Sequence, residues 1–77
     1  MQVEVFAVLK EYFDKQFAIT EKIENIELLK KHLSNQNPQA KEILRTCRFA
    51  VDDEFVSDNY QLKEHDSISI IPPSSGG

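Results

Sequence analysis

Hydrophobic and polar residues alternate over the first part of the chain in a way that predicts two β-strands. Residues 2–9 (QVEVFAVL) are rich in β-branched residues and show a partial period of two. Phe6 falls on the same face as the charged Glu4, and the opposite face carries four apolar residues: Val3, Val5, Ala7 and Leu9. A polar connection over 10–16 then leads to a short second strand over 17–21.

Apolar residues at helical spacing follow Asn25, which is placed to cap the first turn of a helix. The stripe of this helix contains Ile26, Leu29 and Leu33. Lys30 falls on the predicted solvent side. The helix is expected to end before Pro38, because a residue that precedes proline is disfavoured in α geometry. With Asn37 as its cap and Pro38 in its first position, a short second helix is predicted over 38–45.

Three further strands are predicted in the second half of the chain, over residues 47–51, 55–57 and 66–71. The acidic residues 52–54 turn the chain between the first two. Pro72 and Pro73 end the last strand, because neither can donate a hydrogen bond to a sheet ladder. The order β-β-α-(α)-β-β-β predicts an α+β protein of the ubiquitin-like β-grasp class, with a mixed sheet, one main helix and a short second helix.

Composition and charge narrow the classes of function. The chain has 9 Lys+Arg against 13 Asp+Glu, a net charge of −4. Nucleic acids and anionic membranes attract basic surfaces, so we expect neither as a partner. No apolar run approaches the roughly 18–20 residues that span a bilayer, and Glu4 stands where a signal peptide would be basic. We therefore expect a cytoplasmic domain whose thin core encloses no deep pocket.

Residues with catalytic or metal-binding chemistry are few. Cys47 is the only cysteine, so it forms no internal disulfide, and its place in a strand predicts a buried thiol. His32 and His65 are the only histidines; we expect the first on a helix surface and the second in a turn. We predict neither a metal site nor a tightly bound cofactor. Whether the chain is itself an enzyme stays open at this point.

Glycine is rare in this chain and occurs only at its end. Average usage predicts about five glycines in a chain of this length, but only two occur, Gly76 and Gly77, and they are the last two residues. We predict a β-grasp domain over 1–73 and a flexible Gly-Gly tail over 74–77 that carries a reactive carboxylate. Glycines lack Cβ, so their backbone could enter a channel too narrow for other residues. A frayed end and a cloning scar are the alternatives.

The sequence resembles the small, sulfur-carrier subunits of molybdopterin synthases over essentially its whole length. The matching stretches are VFAVLKE (5–11), FAVDD (49–53), FV (55–56), Leu62, DSI (66–68) and IPPSSGG (71–77). The last of these carries the most recognisable feature: a hydrophobic residue, two prolines, two further residues and Gly-Gly.

This resemblance implies a cycle of acyl activation at Gly77. An E1-like adenylating enzyme would use ATP to form an acyl-adenylate, and a sulfur donor protein would convert that to a thiocarboxylate. The large subunit of the synthase would then use the sulfur to convert cyclic pyranopterin monophosphate to molybdopterin. The resemblance also implies a heterotetramer of two small and two large subunits, in which the small subunit supplies sulfur and has no catalytic site of its own.

Alternation predicts a docking surface on the outer face of the sheet, where Phe6, Phe55 and Ile71 would gather at the base of the tail. The resemblance adds further contact residues, so the predicted partner-binding set is Phe6, Lys10, Phe55, Ile71, Pro72, Pro73, Ser74, Ser75 and Gly76. The alternative is that the chain's own loop over 10–16 covers Phe6.

Neighbouring functions share the same fold and tail. A sulfur carrier for the thiamine pathway or for tRNA thiolation would use the same chemistry at Gly77, although thiamine carriers are usually shorter and lack the Pro-Pro step. A ubiquitin-like modifier would form isopeptide bonds to lysines instead. A plain interaction module with an inert tail is the remaining alternative.

Overall fold

A five-stranded mixed sheet forms the centre of the protein. The computed structural model describes residues 1–73. Its strands are β1 (Gln2–Val5), β2 (Gln16–Ala18), β3 (Arg48–Val51), β4 (Glu54–Val56) and β5 (Ser67–Ile71), in the spatial order β2-β1-β5-β3-β4. β1 and β5 are parallel, and the other neighbouring pairs are antiparallel. With the helices that cross its inner face, this arrangement confirms the predicted ubiquitin-like β-grasp.

The core lies between the inner face of the sheet and the two α-helices, α1 (Ile26–Gln36) and α2 (Lys41–Thr46). Its largest fully buried side chains are Leu9, Ile26, Leu29, Leu33, Leu44, Ile68, Ile70, Val3 and Val5. The predicted helix stripe and the inward residues of the last strand are therefore confirmed. Within residues 1–73, no helix combines the length and the apolar character needed to cross a bilayer.

Asparagine caps fix the starts of the helical segments, as predicted. The Asn25 side chain accepts a hydrogen bond from the Leu28 N–H at 2.9 Å, and the Asn37 side chain accepts one from the Gln39 N–H at 3.2 Å. The second segment is a 3₁₀ turn (Pro38–Ala40) that continues into α2. The Asn37 amide also donates to the Tyr12 carbonyl at 3.1 Å, which ties this segment to the loop after β1.

The first strand is shorter than predicted, because β1 ends at Val5. Phe6 is still extended, but Ala7 has a φ of 55° and opens a 3₁₀ turn (Ala7–Glu11). Leu9 reaches the core from this turn, whereas Ala7 is exposed and not on the core face. The turn keeps Leu9 buried, as the longer strand would, and in addition brings Tyr12 and Phe13 against the core.

The second strand is also displaced, since β2 covers Gln16–Ala18 and not 17–21. Ile19 is buried, and its N–H donates to the Met1 carbonyl at 2.9 Å beyond the strand. Residues 52–54 do not form the predicted three-residue turn, because Glu54 begins β4 opposite Val51. The turn is the pair Asp52 and Asp53, whose φ values of 50° and 72° are those that two-residue hairpins require.

Lys30 does not lie on the solvent side. Its ammonium is 2.8 Å from the Asp58 carboxylate and 5.3 Å from the centroid of the Phe49 ring, and the side chain is half-buried. The Glu27 N–H also donates to the Asp58 carbonyl at 3.0 Å. These contacts join the first turns of α1 to the segment that follows β4.

Candidate functional site

The outer face of the sheet is polar near its centre and apolar at one end. Across the parallel pair, Gln2 faces Ser67 and Glu4 faces Ser69. The next outward position after Glu4 is Phe6, and the next after Ser69 is Ile71. Apolar side chains therefore meet at the end of β5 from which the chain continues into Pro72 and Pro73.

Four residues form this end of the face, which we call the outer patch: Phe6, Ile71, Arg48 and Phe55. Arg48 pairs with Ile71 across the antiparallel strands β3 and β5. Its guanidinium carbon lies 3.8 Å from the centroid of the Phe55 ring. Phe6, Ile71 and Arg48 thus follow one another across the sheet, and Phe55 of β4, whose strand partner is Ala50, lies diagonally from Arg48.

Exposure agrees with the predicted placement of the aromatic residues. Phe6 is 37% exposed and Phe55 is 55% exposed, whereas Ile71 is half-buried. Phe6 is therefore not fully covered by the loop over 10–16, whose aromatic residues Tyr12 and Phe13 pack against the core. That these side chains bind a partner stays a prediction.

Arg48 belongs to the site but was not among the predicted site residues. Strand alternation already placed Phe49 and Val51 inward, so Arg48 was available as an outward residue. What the sequence does not reveal is its cross-strand partner, which depends on the register between β3 and β5. Within the part of the chain that the structure describes, no carboxylate lies within ion-pair distance of the Arg48 guanidinium.

The other predicted site residues lie in the turn after Phe6, directly after β5, and in the tail over 74–77. Lys10 lies exposed in the 3₁₀ turn that follows Phe6. Pro72 is half-buried and Pro73 is exposed, directly after β5. The predicted tail residues Ser74, Ser75, Gly76 and Gly77 lie outside the described residues.

The thiol of Cys47 is packed inside the protein. Its side chain is buried among core residues, and its Sγ donates to the Ile43 carbonyl at 3.1 Å. Burial raises the pKa of the Cys47 thiol to about 11, although the nearby Lys30 ammonium acts in the opposite direction. A thiol with so high a pKa is protonated at neutral pH and is therefore a poor nucleophile.

The two histidines lie apart from the outer patch. His32 on α1 is near the Glu21 carboxylate at 3.9 Å and the Gln36 amide at 3.2 Å, and His65 is exposed before β5. Among residues 1–73, no group of three or more His, Cys, Asp or Glu side chains is arranged to hold a metal ion.

The fold and the outer patch define a class of protein: a ubiquitin-like β-grasp domain whose exposed aromatic surface lies at the base of its C-terminal segment. The chain belongs to the ThiS family, whose model matches residues 3–77.

Three relatives illustrate the range of similarity. The molybdopterin synthase sulfur carrier subunit of Chlamydomonas reinhardtii is 42% identical over 43 residues, which cover 53% of this chain and 52% of that protein. The match therefore spans about half the length of that curated relative.

Solved structures match over nearly the whole chain. One is in the complex of subunits 1 and 2 of molybdopterin-converting factor from Helicobacter pylori 26695, with 30% identity, a TM-score of 0.69 and coverage of 99% of this chain and 96% of that chain. Another is the small archaeal modifier protein 1 of H. volcanii, with a TM-score of 0.80 and coverage of 95% of both chains. Its identity of 12% shows the shared fold alone.

Proposed function

We propose that the protein is the sulfur carrier of a molybdopterin synthase, and that Gly77 carries the sulfur as a thiocarboxylate. The single observation that carries this proposal is the outer patch, located where β5 passes into the IPPSSGG segment. Membership of the ThiS family and the names of the relatives from C. reinhardtii and H. pylori support it.

The proposed chemistry begins with activation of a poor electrophile. The Gly77 carboxylate attacks the α-phosphate of ATP on an E1-like adenylating enzyme, and pyrophosphate leaves. A persulfide of a sulfur donor protein attacks the acyl carbon, and AMP leaves. A second thiol then cleaves the S–S bond, which releases the thiocarboxylate and forms a disulfide on the donor. The sulfur anion is a better nucleophile than the carboxylate that it replaces.

In the proposed complex, the large subunit covers the outer patch and takes the tail into its active site. Four residues follow Pro73, and such a segment can extend by at most about 14 Å. The patch would thus hold the domain close to the site where the sulfur reacts with cyclic pyranopterin monophosphate. Two small and two large subunits would form the cytoplasmic heterotetramer, to which the large subunit contributes the catalytic groups.

The test measures the intact mass of the protein after incubation with its adenylating enzyme, ATP and a sulfur donor. We expect an increase equal to the replacement of one oxygen atom by sulfur. Deletion of Gly77 should abolish this increase and ATP–pyrophosphate exchange, and should leave the thermal midpoint unchanged because a free end contributes little to stability. Arg45→Ala, an exposed change on α2, is the matched control and should behave as wild type.

Exchange with the Gly77-deleted protein would contradict the proposal. A thiocarboxylate that forms without any binding to the large subunit would contradict the molybdopterin assignment and favour a carrier for the thiamine pathway or tRNA thiolation. Ladders of conjugates on lysines of other proteins would favour a modifier.

A further inference from the structure

Arg48 is the one charged residue of the outer patch, whose other three members are apolar; Glu4 lies on the same face of the sheet, opposite Ser69. Arg48 lies between Ile71, its partner in β5, and Phe55, whose ring is 3.8 Å from the guanidinium carbon. In the hairpin of β3 and β4, the other charged residues are Asp52 and Asp53 in the turn and Glu54, which alternation places on the face opposite to Phe55. Residues 1–73 provide no carboxylate within ion-pair distance of Arg48.

A partner that covers Phe6, Ile71 and Phe55 must also remove water from Arg48. The loss of hydration of a charged group is unfavourable unless the partner supplies an opposite charge and hydrogen bonds. Phe55 already occupies one flat face of the guanidinium, so the N–H groups at the edge remain for a new contact. Two parallel N–H groups match the two oxygens of a carboxylate.

We propose that the protein that docks on the outer patch presents an Asp or Glu carboxylate to Arg48, and that this pair selects the partner. The inference rests on the proposed function for the identity of that protein, the large subunit of the synthase. Stacking on Phe55 holds the guanidinium in place before docking, so less side-chain freedom is lost when the pair forms. A partner with an apolar or basic surface at this point would leave Arg48 buried without compensation.

A different role is that Arg48 only shields Phe55 from solvent and limits self-association of the free protein. The two roles predict opposite effects when the charge is replaced by an apolar side chain of similar length. If the partner surface at Arg48 is apolar, Arg48→Met should strengthen binding, because a buried charge is removed. If the partner presents a carboxylate, the same change leaves that carboxylate buried and unpaired, and binding weakens.

The experiment is isothermal titration calorimetry of the full chain with the large subunit from the same organism. We expect Arg48→Met to raise Kd by about 30-fold or more, the lower end of the effect of removing one member of a buried charge pair. Arg48→Lys, which keeps the charge but not the planar fork, should recover part of the loss. Arg45→Met on α2 removes the same charge away from the sheet and should leave Kd within about twofold, because exposed pairs contribute little.

Thermal midpoints of the variants confirm that each is folded before titration. A second arm uses Arg48→Glu against large-subunit variants in which single interface Asp or Glu residues are changed to Arg; one of these should restore binding. Equal or tighter binding of Arg48→Met, or no rescue by any member of the panel, would overturn the proposal. If wild-type protein does not bind the large subunit at all, it is the proposed function that fails, and the pairing fails with it.

Discussion

Replacing Phe55 by Ala is the sharpest single test of the outer patch. Phe55 lies on the edge strand β4, opposite Ala50 and beneath the Arg48 guanidinium, with 55% of its surface exposed. A partner that docks on the patch would cover this exposed part. The substitution removes the ring and keeps Cβ, so the backbone of β4 and its pairing with β3 should persist.

The exposed fraction sets the size of the effect. A Phe side chain has about 150–250 Å² that can be buried, so 55% of it corresponds to about 80–140 Å². At about 25 cal/mol per Å², full coverage of this area contributes about 2–3.5 kcal/mol to the free energy of binding. Because Cβ remains in the variant, the expected loss of binding free energy is about 2 kcal/mol. This is about a 30-fold increase in Kd for the large subunit.

The free energy of unfolding should fall by at most about 2 kcal/mol, because the ring is only partly buried and its stacking with Arg48 is exposed. Binding is measured by titration calorimetry well below the thermal midpoint of both proteins. Leu28→Ala is the matched control. Leu28 is 42% exposed but lies on α1, on the helical side of the sheet, so its loss should leave Kd unchanged.

Phe6→Ala provides an internal check. Because Phe6 is 37% exposed, its substitution should reduce the free energy of binding to the large subunit by less, about 1.5 kcal/mol. An unchanged Kd for Phe55→Ala, or an equal loss for Leu28→Ala, would refute the patch as a docking surface. If Phe6→Ala unfolds the domain while the complex still forms at low temperature, Phe6 is a core residue and the patch is wrongly placed.

Three other predictions concern stability and association. Asp53→Gly should raise the urea midpoint by the equivalent of about 0.5–1 kcal/mol, because its φ of 72° favours glycine; a lower midpoint would contradict this. The Cys47 thiol has a pKa of about 11 when folded against 9.0 unfolded, so stability is lost as pH rises from about 9 through about 11, and Cys47→Ala should lack this component. With a net charge of −4, the rate of association with a large subunit that has basic patches should fall as salt rises; rates independent of salt would count against such steering.

The sequence predicted correctly those elements in which the spacing of apolar residues within a single helix or strand decides which side chains are buried. The stripe of Ile26, Leu29 and Leu33 identified α1, and the cap at Asn25 located its start. Alternation placed Ile68 and Ile70 inward in β5. The β-grasp order then brought β1 beside β5, and the outward exposure of Phe6 and Phe55 followed from period two.

The predictions failed where contacts between distant segments decide the conformation. The alternating residues 2–9 suggested one strand, but Leu9 and Tyr12 reach the core by a turn after Phe6, at the positive φ of Ala7. Lys30 was expected in solvent from its place on the helix. Its contact with Asp58, which lies far along the chain, makes it half-buried.

The class of fold, the start of α1 with its cap, and the inward residues of β3 and β5 could be predicted from the sequence. Which outward residues are neighbours depends on how the strands pair in the folded sheet. Arg48 lies beside Ile71 and over Phe55 because of the register of β3 with β5 and β4. A shift by one residue would turn the inward side chains outward, so the alternation of a strand excludes it. A shift by two residues keeps the same faces, and only the contacts between the paired strands choose between such registers.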